Sequence, residues 1–183
     1  MEKILETVTG QEGDDVQKRV LYDLMTIDTR EADTLLDFLF YYWSALNAGA
    51  NKVPAVADFQ VEKILQPAAL EYTGWVDTAE DDPRSFIIRH HPANRLPGMD
   101  EHSADIRLAD LPNKMHANSL ILEYLRCKRW KIPLYHEIDQ RIGGIRRHYT
   151  RLLLPLADGD GPVTRIFFGF RLIARVTVSE KVG

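Results

Sequence analysis

The sequence has very little cysteine, and this excludes two ways of stabilising a small protein. Cys127 is the only cysteine among 183 residues. One thiol cannot form an intramolecular disulfide, and it cannot build a zinc site from cysteine ligands. The fold must therefore rest on an apolar core, and a chain of this length buries roughly two thirds of the surface that its unfolded form exposes.

Long apolar runs and a strong charge of one sign are also missing. The longest apolar stretch, Phe38 to Trp43, is too short to cross a bilayer, and Met1 to Gly10 lacks the apolar centre of a signal peptide. The formal net charge of -4 argues against a nucleic-acid-binding domain, which is usually strongly basic. These absences predict a cytoplasmic protein with no nucleic-acid partner and no membrane partner.

Motifs of known catalytic chemistry are absent as well. The sequence has no nucleophile-elbow serine, no Walker sequence, no dinucleotide fingerprint and no His-Glu-x-x-His motif. Gly143–Gly144 lies between two strand patterns, so a hairpin turn explains it better than a phosphate loop does. We therefore predict that the protein is not an enzyme.

Residues 1–50 have the pattern of a helical extension. Apolar residues recur at helical spacing over 14–27, and an Asp28-to-Glu31 capping-box-like pair predicts a second helix to about Asn47. The second helix is apolar on more than one face, so it either covers the sheet or forms a dimer interface. We predict a homodimer through these helices, with the interface residues Leu35, Leu39, Tyr42 and Trp43.

The pattern changes from helix to strand near residue 69. A short helix over 58–65 precedes the change, and a longer one is expected over about 112–128. Aromatic, β-branched and alternating residues predict five strands, over 70–77, 85–90, 132–142, 145–157 and 163–178. This order predicts an α+β domain with an antiparallel sheet.

Several short motifs lie between residues 36 and 172, and the clearest is Arg147–Leu156 followed by Asp158-Gly159, with weaker ones at Tyr42-Trp43, Pro54–Phe59 and Arg84–Arg89. Together they resemble a family of single-domain bacterial PAS proteins that is common in alphaproteobacteria. The resemblance covers about 36–172. It implies a PAS-like five-stranded antiparallel sheet with a helical crossover over 51–183, behind the N-terminal helical extension of 1–50. It also implies sensing or protein interaction rather than catalysis.

Inward-facing positions on several elements define a candidate ligand cavity. His136 stands out, because strand alternation places it among apolar residues. Such a histidine can contact a ligand, or it can be a core residue with a backbone hydrogen bond. The candidate cavity residues are Tyr72, Ile88, Met115, His116, His136, Leu154 and Phe168.

A polar cluster after the second predicted strand has the chemistry of metal ligands. Its residues are His90, His91, Asp100, Glu101 and His102. Imidazole and carboxylate groups suit a divalent ion, but their spacing matches no established motif. A solvated loop explains the cluster better, and we predict no metal.

Cofactor chemistry has two further candidates. His116 lies on the central helix, from which haem-binding PAS sensors supply an axial ligand, yet a lone helical histidine is more often core or surface. Cys127 lacks the local motif that attaches a flavin, although its basic neighbours favour a redox-sensitive thiol. We predict no cofactor.

The basic segment Arg126 to Arg151 is either a solvated face or a docking surface for an acidic partner, a nucleotide or a phosphate. The leading hypothesis is a PAS-fold sensory or regulatory module that binds a small ligand or a signalling protein and acts through protein contacts. A ligand-free interaction scaffold is one alternative, favoured because the segment from His90 to His102 departs from the Gly-Thr and helix that usually follow the second strand in the family and wall the ligand cavity of PAS domains. A metal- or haem-binding protein is the other.

Overall fold

Strand pairing organises the chain, and every strand pair in the sheet is antiparallel. The computed structural model describes residues 3–32, 34–47, 53–90 and 105–177. The strands are β1 (Ile4–Glu12), β2 (Asp15–Tyr22), β3 (Thr73–Asp77), β4 (Ile87–His90), β5 (Ile106–Arg107), β6 (Leu134–Ile142), β7 (Ile145–Ala157) and β8 (Val163–Thr177). They form one eight-stranded sheet in the order β1-β2-β6-β7-β8-β3-β4-β5.

Helices cover both faces of the sheet. They are α1 (Ile27–Arg30), α2 (Leu35–Leu46), α3 (Pro67–Leu70) and α4 (Lys114–Trp130). Two apolar clusters result, one between the sheet and α4 and the other between the sheet and α2. We call these sides the α4 face and the α2 face. Within the described ranges, no helix has the length and apolar character needed to span a membrane.

The predicted fold class, a PAS-like five-stranded α+β domain with an N-terminal helical extension, is wrong. The sheet has eight strands, and the segment predicted as the first helix contains β2. Gly13, with a φ of 59°, forms the turn that joins β1 to β2, a conformation that glycine adopts readily. The hairpin then pairs with β6, whose edge would otherwise stay open.

Other elements lie close to their predicted positions, with shifted ends. The strands β6, β7 and β8 fall within the predicted spans, and α4 starts and ends two residues later than expected. The predicted helix over 58–65 is instead a single 3₁₀ turn, Val61–Lys63. The division of the chain into 1–50 and 51–183 stays a prediction.

The apolar residues of helix α2 pack mainly against the sheet of the same chain. Leu39 is fully buried. A Cβ placed on Gly169 would lie 2.5 Å from Leu39 Cδ1, so α2 and β8 are in close contact. Trp43 is also buried, and its Nε1 donates to the Pro155 carbonyl at 2.8 Å. Of the predicted interface residues, Leu35 and Tyr42 are half-buried. The exposed apolar side of α2 carries Phe38, Tyr41 and Leu46.

Candidate ligand site beneath helix α4

The N-terminus of α4 is attached to the tip of the β1–β2 hairpin. Asn113 caps the helix by accepting from the His116 backbone N–H at 2.7 Å, and its own amide donates to Asp15 Oδ2 at 2.7 Å. Glu12 Oε2 accepts from the Met115 backbone N–H at 2.8 Å. These bonds place α4 across the hairpin and the strand next to it.

Strand register then brings polar residues together under the helix. Leu21 on β2 pairs with His136 on β6, which pairs with Arg151 on β7. Arg19 lies two residues before Leu21, so it points to the same face. Three polar side chains of three neighbouring strands, Arg19, His136 and Arg151, therefore face α4.

Glu123 of α4 is the centre of this group. Its Oε2 accepts from Arg19 Nη1 at 2.8 Å and also from Arg151 Nη2. Arg19 additionally donates from Nε to Gln17 Oε1 at 3.2 Å, and its Nη2 lies 3.0 Å from His116 Nδ1. Because guanidinium only donates, Nδ1 of His116 is the acceptor. We call Arg19, His116, Glu123, His136 and Arg151 the buried cluster.

The charges of the buried cluster follow from its environment. Burial opposes ionisation of Glu123, but Arg19 and Arg151 outweigh it and hold the pKa of Glu123 well below its usual range. Burial and the adjacent Arg19 lower the pKa of His116 well below its ordinary value. His116 is therefore neutral beside an ionised carboxylate and two cations.

His136 is neutral as well, and its hydrogen bonding is incomplete. Burial lowers its pKa to about 4, although Glu123 partly opposes the shift. Its Nε2 lies 3.7 Å from Glu123 Oε1, too far for a good hydrogen bond. His136 Nδ1 and Arg151 Nε are buried with no hydrogen-bond partner in the part of the chain that is described. Such orphaned atoms are uncommon, so each needs an explanation.

A small cavity adjoins the cluster. It has a volume of about 100 Å³ and lies between α4, the β1–β2 hairpin and β6. The helix contributes Ser119, Leu122, Glu123 and Arg126, which share one helical face. The strands contribute Glu6, Val8, Arg19, Leu21 and His136.

The cavity has a buried inner end and an exposed mouth. Arg19 and His136 are only 3% and 2% exposed, and they form the inner end. At the mouth Arg126 pairs with Glu6, and their side chains are 32% and 37% exposed. The Arg126 guanidinium also lies over the Trp130 ring, 5.1 Å from its centroid. An ion pair thus stands between solvent and the buried cluster.

The predicted cavity residues divide between several places. His116 and His136 belong to the buried cluster, and Met115 lies beside Gly10 at the start of α4. Ile88 and Phe168 are in the apolar core of the same face. The other two lie apart: Tyr72 packs against Phe170, and Leu154 is on the α2 face.

The candidates for metal and thiol chemistry have different outcomes. The side chain of His90 and all of His91, Asp100, Glu101 and His102 lie outside the described residues. Elsewhere in the described chain, no group of three or more His, Cys, Asp or Glu could hold a metal ion. Burial raises the pKa of the Cys127 thiol well above its usual range, so the expected activation by basic neighbours is wrong.

Sequence reasoning missed the five charged residues that line or complete the site, namely Glu6, Arg19, Glu123, Arg126 and Arg151. A usable signal existed on α4, where Glu123 has the helical phase of the buried Leu120, Tyr124 and Cys127. Leu122 lies on the side of the helix opposite Leu120, Tyr124 and Cys127 and is 65% exposed. A carboxylate in a buried helical phase indicates an internal partner.

The basic segment is not a uniform docking face. Arg147 and Arg151 are buried, while Arg146 pairs with Asp139 and Lys128 donates to the carbonyls of Thr78 and Glu80. Its positive charge is thus largely directed inward or already paired. No family model, no curated protein and no solved structure matches this chain, so the PAS resemblance stays a prediction.

Proposed function

We propose that this chain is a sensory or regulatory module in which a small ligand, bound beneath α4, changes the contacts made with a partner protein. The observation that carries the proposal is the buried cluster, with two orphaned polar atoms, beside the cavity. Buried ion pairs rarely add net stability, because desolvation offsets their attraction. A cluster of this kind is therefore better explained by a ligand than by packing.

The position of the cluster supports a regulatory output. The hydrogen bonds that orient α4 run from its first turn to the hairpin tip, and the cavity lies farther along the same helix. Glu123 and Ser119 belong to α4, and the other walls of the cavity belong to strands, so a ligand in the cavity contacts both the helix and the sheet. A ligand can change a conformational equilibrium only through such differential contacts. We therefore assign α4 as the element that responds.

A ligand-free interaction scaffold is the competing proposal, and the size of the cavity favours it. A volume of about 100 Å³ is far below the roughly 300–1,000 Å³ of sites for drug-sized ligands. The same volume limits the sensor proposal to ligands much smaller than haem or flavin. The two proposals thus differ in one measurable property, which is occupancy of this cavity.

We also propose that the module works in the cytoplasm as a homodimer. Leu39 and Trp43 are buried within their own chain, so a dimer through α2 would use its exposed residues Phe38, Tyr41 and Leu46. Static light scattering tests the dimer, and Phe38→Ser together with Tyr41→Ser should convert it to a monomer. A wild-type protein that is monomeric both at high concentration and after 100-fold dilution would contradict the proposed dimer.

Thermal unfolding with a panel of small acids, amines, sugars and amino acids tests ligand binding. Ser119→Leu fills the cavity, while Ser44→Leu makes the same change on α2, far from it. We expect at least one compound to raise the Tm of the wild type and of Ser44→Leu but not of Ser119→Leu. Hydrogen exchange in α4 should slow with the same compound. A panel with no such compound would favour the scaffold.

A further inference from the structure

The charge of the buried cluster limits the class of ligand, if the proposed function holds. Arg19 and Arg151 share the single carboxylate of Glu123, and both histidines are neutral. At the mouth, Glu6 cancels Arg126. The buried cluster and the pair at the mouth together therefore have one positive charge in excess, in a place where unpaired charge is costly, and the buried Arg147 on the same face adds a further cation near His116.

Free hydrogen-bonding capacity lies at the same end of the cavity. A guanidinium has five N–H groups. Arg19 uses its Nε, Nη1 and Nη2 for one bond each, to Gln17, Glu123 and His116. Each Nη carries a second hydrogen, so two N–H groups of Arg19 are available for a further acceptor. His136, whose buried Nδ1 has no partner in the described chain, is one of the residues that line the cavity.

The other walls of the cavity are apolar. Leu21 is a buried part of these walls, while Val8 and Leu122 are 46% and 65% exposed and lie at the mouth. An inorganic anion would leave this apolar surface without a complementary group, whereas a short hydrocarbon tail would cover it. With about 30 Å³ per water molecule, 100 Å³ holds about three waters, and because bonded heavy atoms lie closer together than waters do, a ligand of about four or five heavy atoms fits.

We infer that the cavity binds a small monocarboxylate of about two or three carbon atoms. Its carboxylate lies against Arg19 and His136 at the inner end, and its tail contacts Leu21 and Val8. One negative charge balances the excess positive charge of the cluster. The exposed Glu6–Arg126 pair covers the mouth and must separate for entry, which costs little for a solvated ion pair.

Binding of acetate, propionate and butyrate is the first test, measured by calorimetry and thermal unfolding at constant ionic strength. Nitrate, phosphate and methylamine are the comparison ligands. We expect a carboxylate to bind with an affinity that depends on tail length. A ligand at 100 times its Kd should raise the Tm by roughly 5–10 °C.

A matched pair of variants tests the sign of the ligand's charge. Leu122 is exposed at the mouth, so Leu122→Glu and Leu122→Lys should both fold. We expect Leu122→Glu to weaken carboxylate binding several-fold and Leu122→Lys to preserve or strengthen it. Ser119→Leu should abolish it, and Glu137→Gln on the α2 face should leave it unchanged.

The outcomes separate this inference from the proposed function. Equal binding of nitrate, phosphate and all three carboxylates would overturn the monocarboxylate and leave a ligand-responsive module. So would a cation or a neutral compound whose binding is lost in Ser119→Leu. Carboxylate binding that is insensitive to Ser119→Leu would place the ligand elsewhere and overturn the inference. No cavity-dependent ligand in either panel would overturn both proposals.

Discussion

The two faces of the sheet both carry charged groups, but they arrange them differently. On the α2 face, Glu31 accepts two bonds from Arg171, at 2.6 and 3.2 Å, and one from the Tyr135 hydroxyl at 2.7 Å. Glu137 on the same face accepts from Arg30 and lies 2.7 Å from His148 Nε2. Each of these two carboxylates has its own guanidinium.

The buried cluster on the α4 face has one carboxylate for two guanidinium groups. Glu123 serves both Arg19 and Arg151, and the nearby His136 has an orphaned nitrogen. Solvent reaches Glu137 and His148, which are about a quarter exposed, whereas Glu31 is as deeply buried as Glu123. The faces therefore differ in how the charges are matched rather than in burial alone, and ion pairs matched one to one fit a structural role. A buried, unmatched set beside a cavity fits a binding role.

Removal of one carboxylate from each face is the strongest test of this difference between the two faces. Glu123→Gln leaves Arg19 and Arg151 buried without a counter-charge, so we expect a loss of about 3–5 kcal/mol in the free energy of unfolding. Glu137→Gln removes a partly exposed carboxylate and should cost about 1 kcal/mol or less. Urea titration measures both values. Similar losses in the two variants would show that the faces do not differ in this way.

Replacing one glycine on each face by alanine should show how tightly α2 and α4 pack against the sheet. A Cβ at Gly169 would lie 2.5 Å from Leu39 Cδ1 and 3.1 Å from Leu36 Cδ2 under α2. These side chains are fully buried, so Gly169→Ala should cost about 1–3 kcal/mol.

The control is Gly10→Ala under α4. Its Cβ would meet the thioether of Met115, with Sδ at 2.9 Å. Met115 is half-buried and flexible, so it can move aside, and the change in the free energy of unfolding should stay within about 1 kcal/mol. A loss for Gly10→Ala as large as that for Gly169→Ala would mean that α4 packs as tightly as α2.

Local sequence signals were sufficient for the long strands of the second half. Alternation defines β6, and Gly143 and Gly144, with φ values of 59° and 72°, end the strand where a hairpin needs them. The same reasoning failed for β2, because Val16, Val20 and Leu21 suit a helix as well as a strand. Pairing with β6, more than 100 residues later, decides between the two.

The site was only partly predictable for a related reason. His136 could be identified because a histidine on an apolar strand face is unusual. Arg19 and Glu123 are 104 residues apart, and each alone looks like a solvated surface charge. Only the fold brings them together, so sequence reasoning found two imidazoles of the cluster but none of its charges.

Lowering the pH should lower the free energy of unfolding, because the histidines of the α4 face are neutral in the folded protein. The pKa of His136 in the folded protein, about 4, lies below its ordinary value of 6.5, because of burial and of Arg151, Arg19 and Arg126, with Glu123 opposing them. Below pH 6.5 the unfolded chain therefore binds a proton that the folded chain does not. We expect His136 to lower the free energy of unfolding by on the order of 2 kcal/mol from pH 7 to pH 5.

Urea titrations at pH 7, 6 and 5 measure this dependence. His136→Gln should lose part of it, and the double variant with His116→Gln should lose more, since the pKa of His116 is shifted in the same direction. Gln17→Leu is the control, because it removes hydrogen bonds of the same region without a titratable group. The lowered pKa of Glu123 affects stability only below about pH 4.5, so it does not contribute in this range. Equal pH dependence in the wild type and the double variant would show that both imidazoles can be protonated in place, and the excess positive charge on this face would then exceed one.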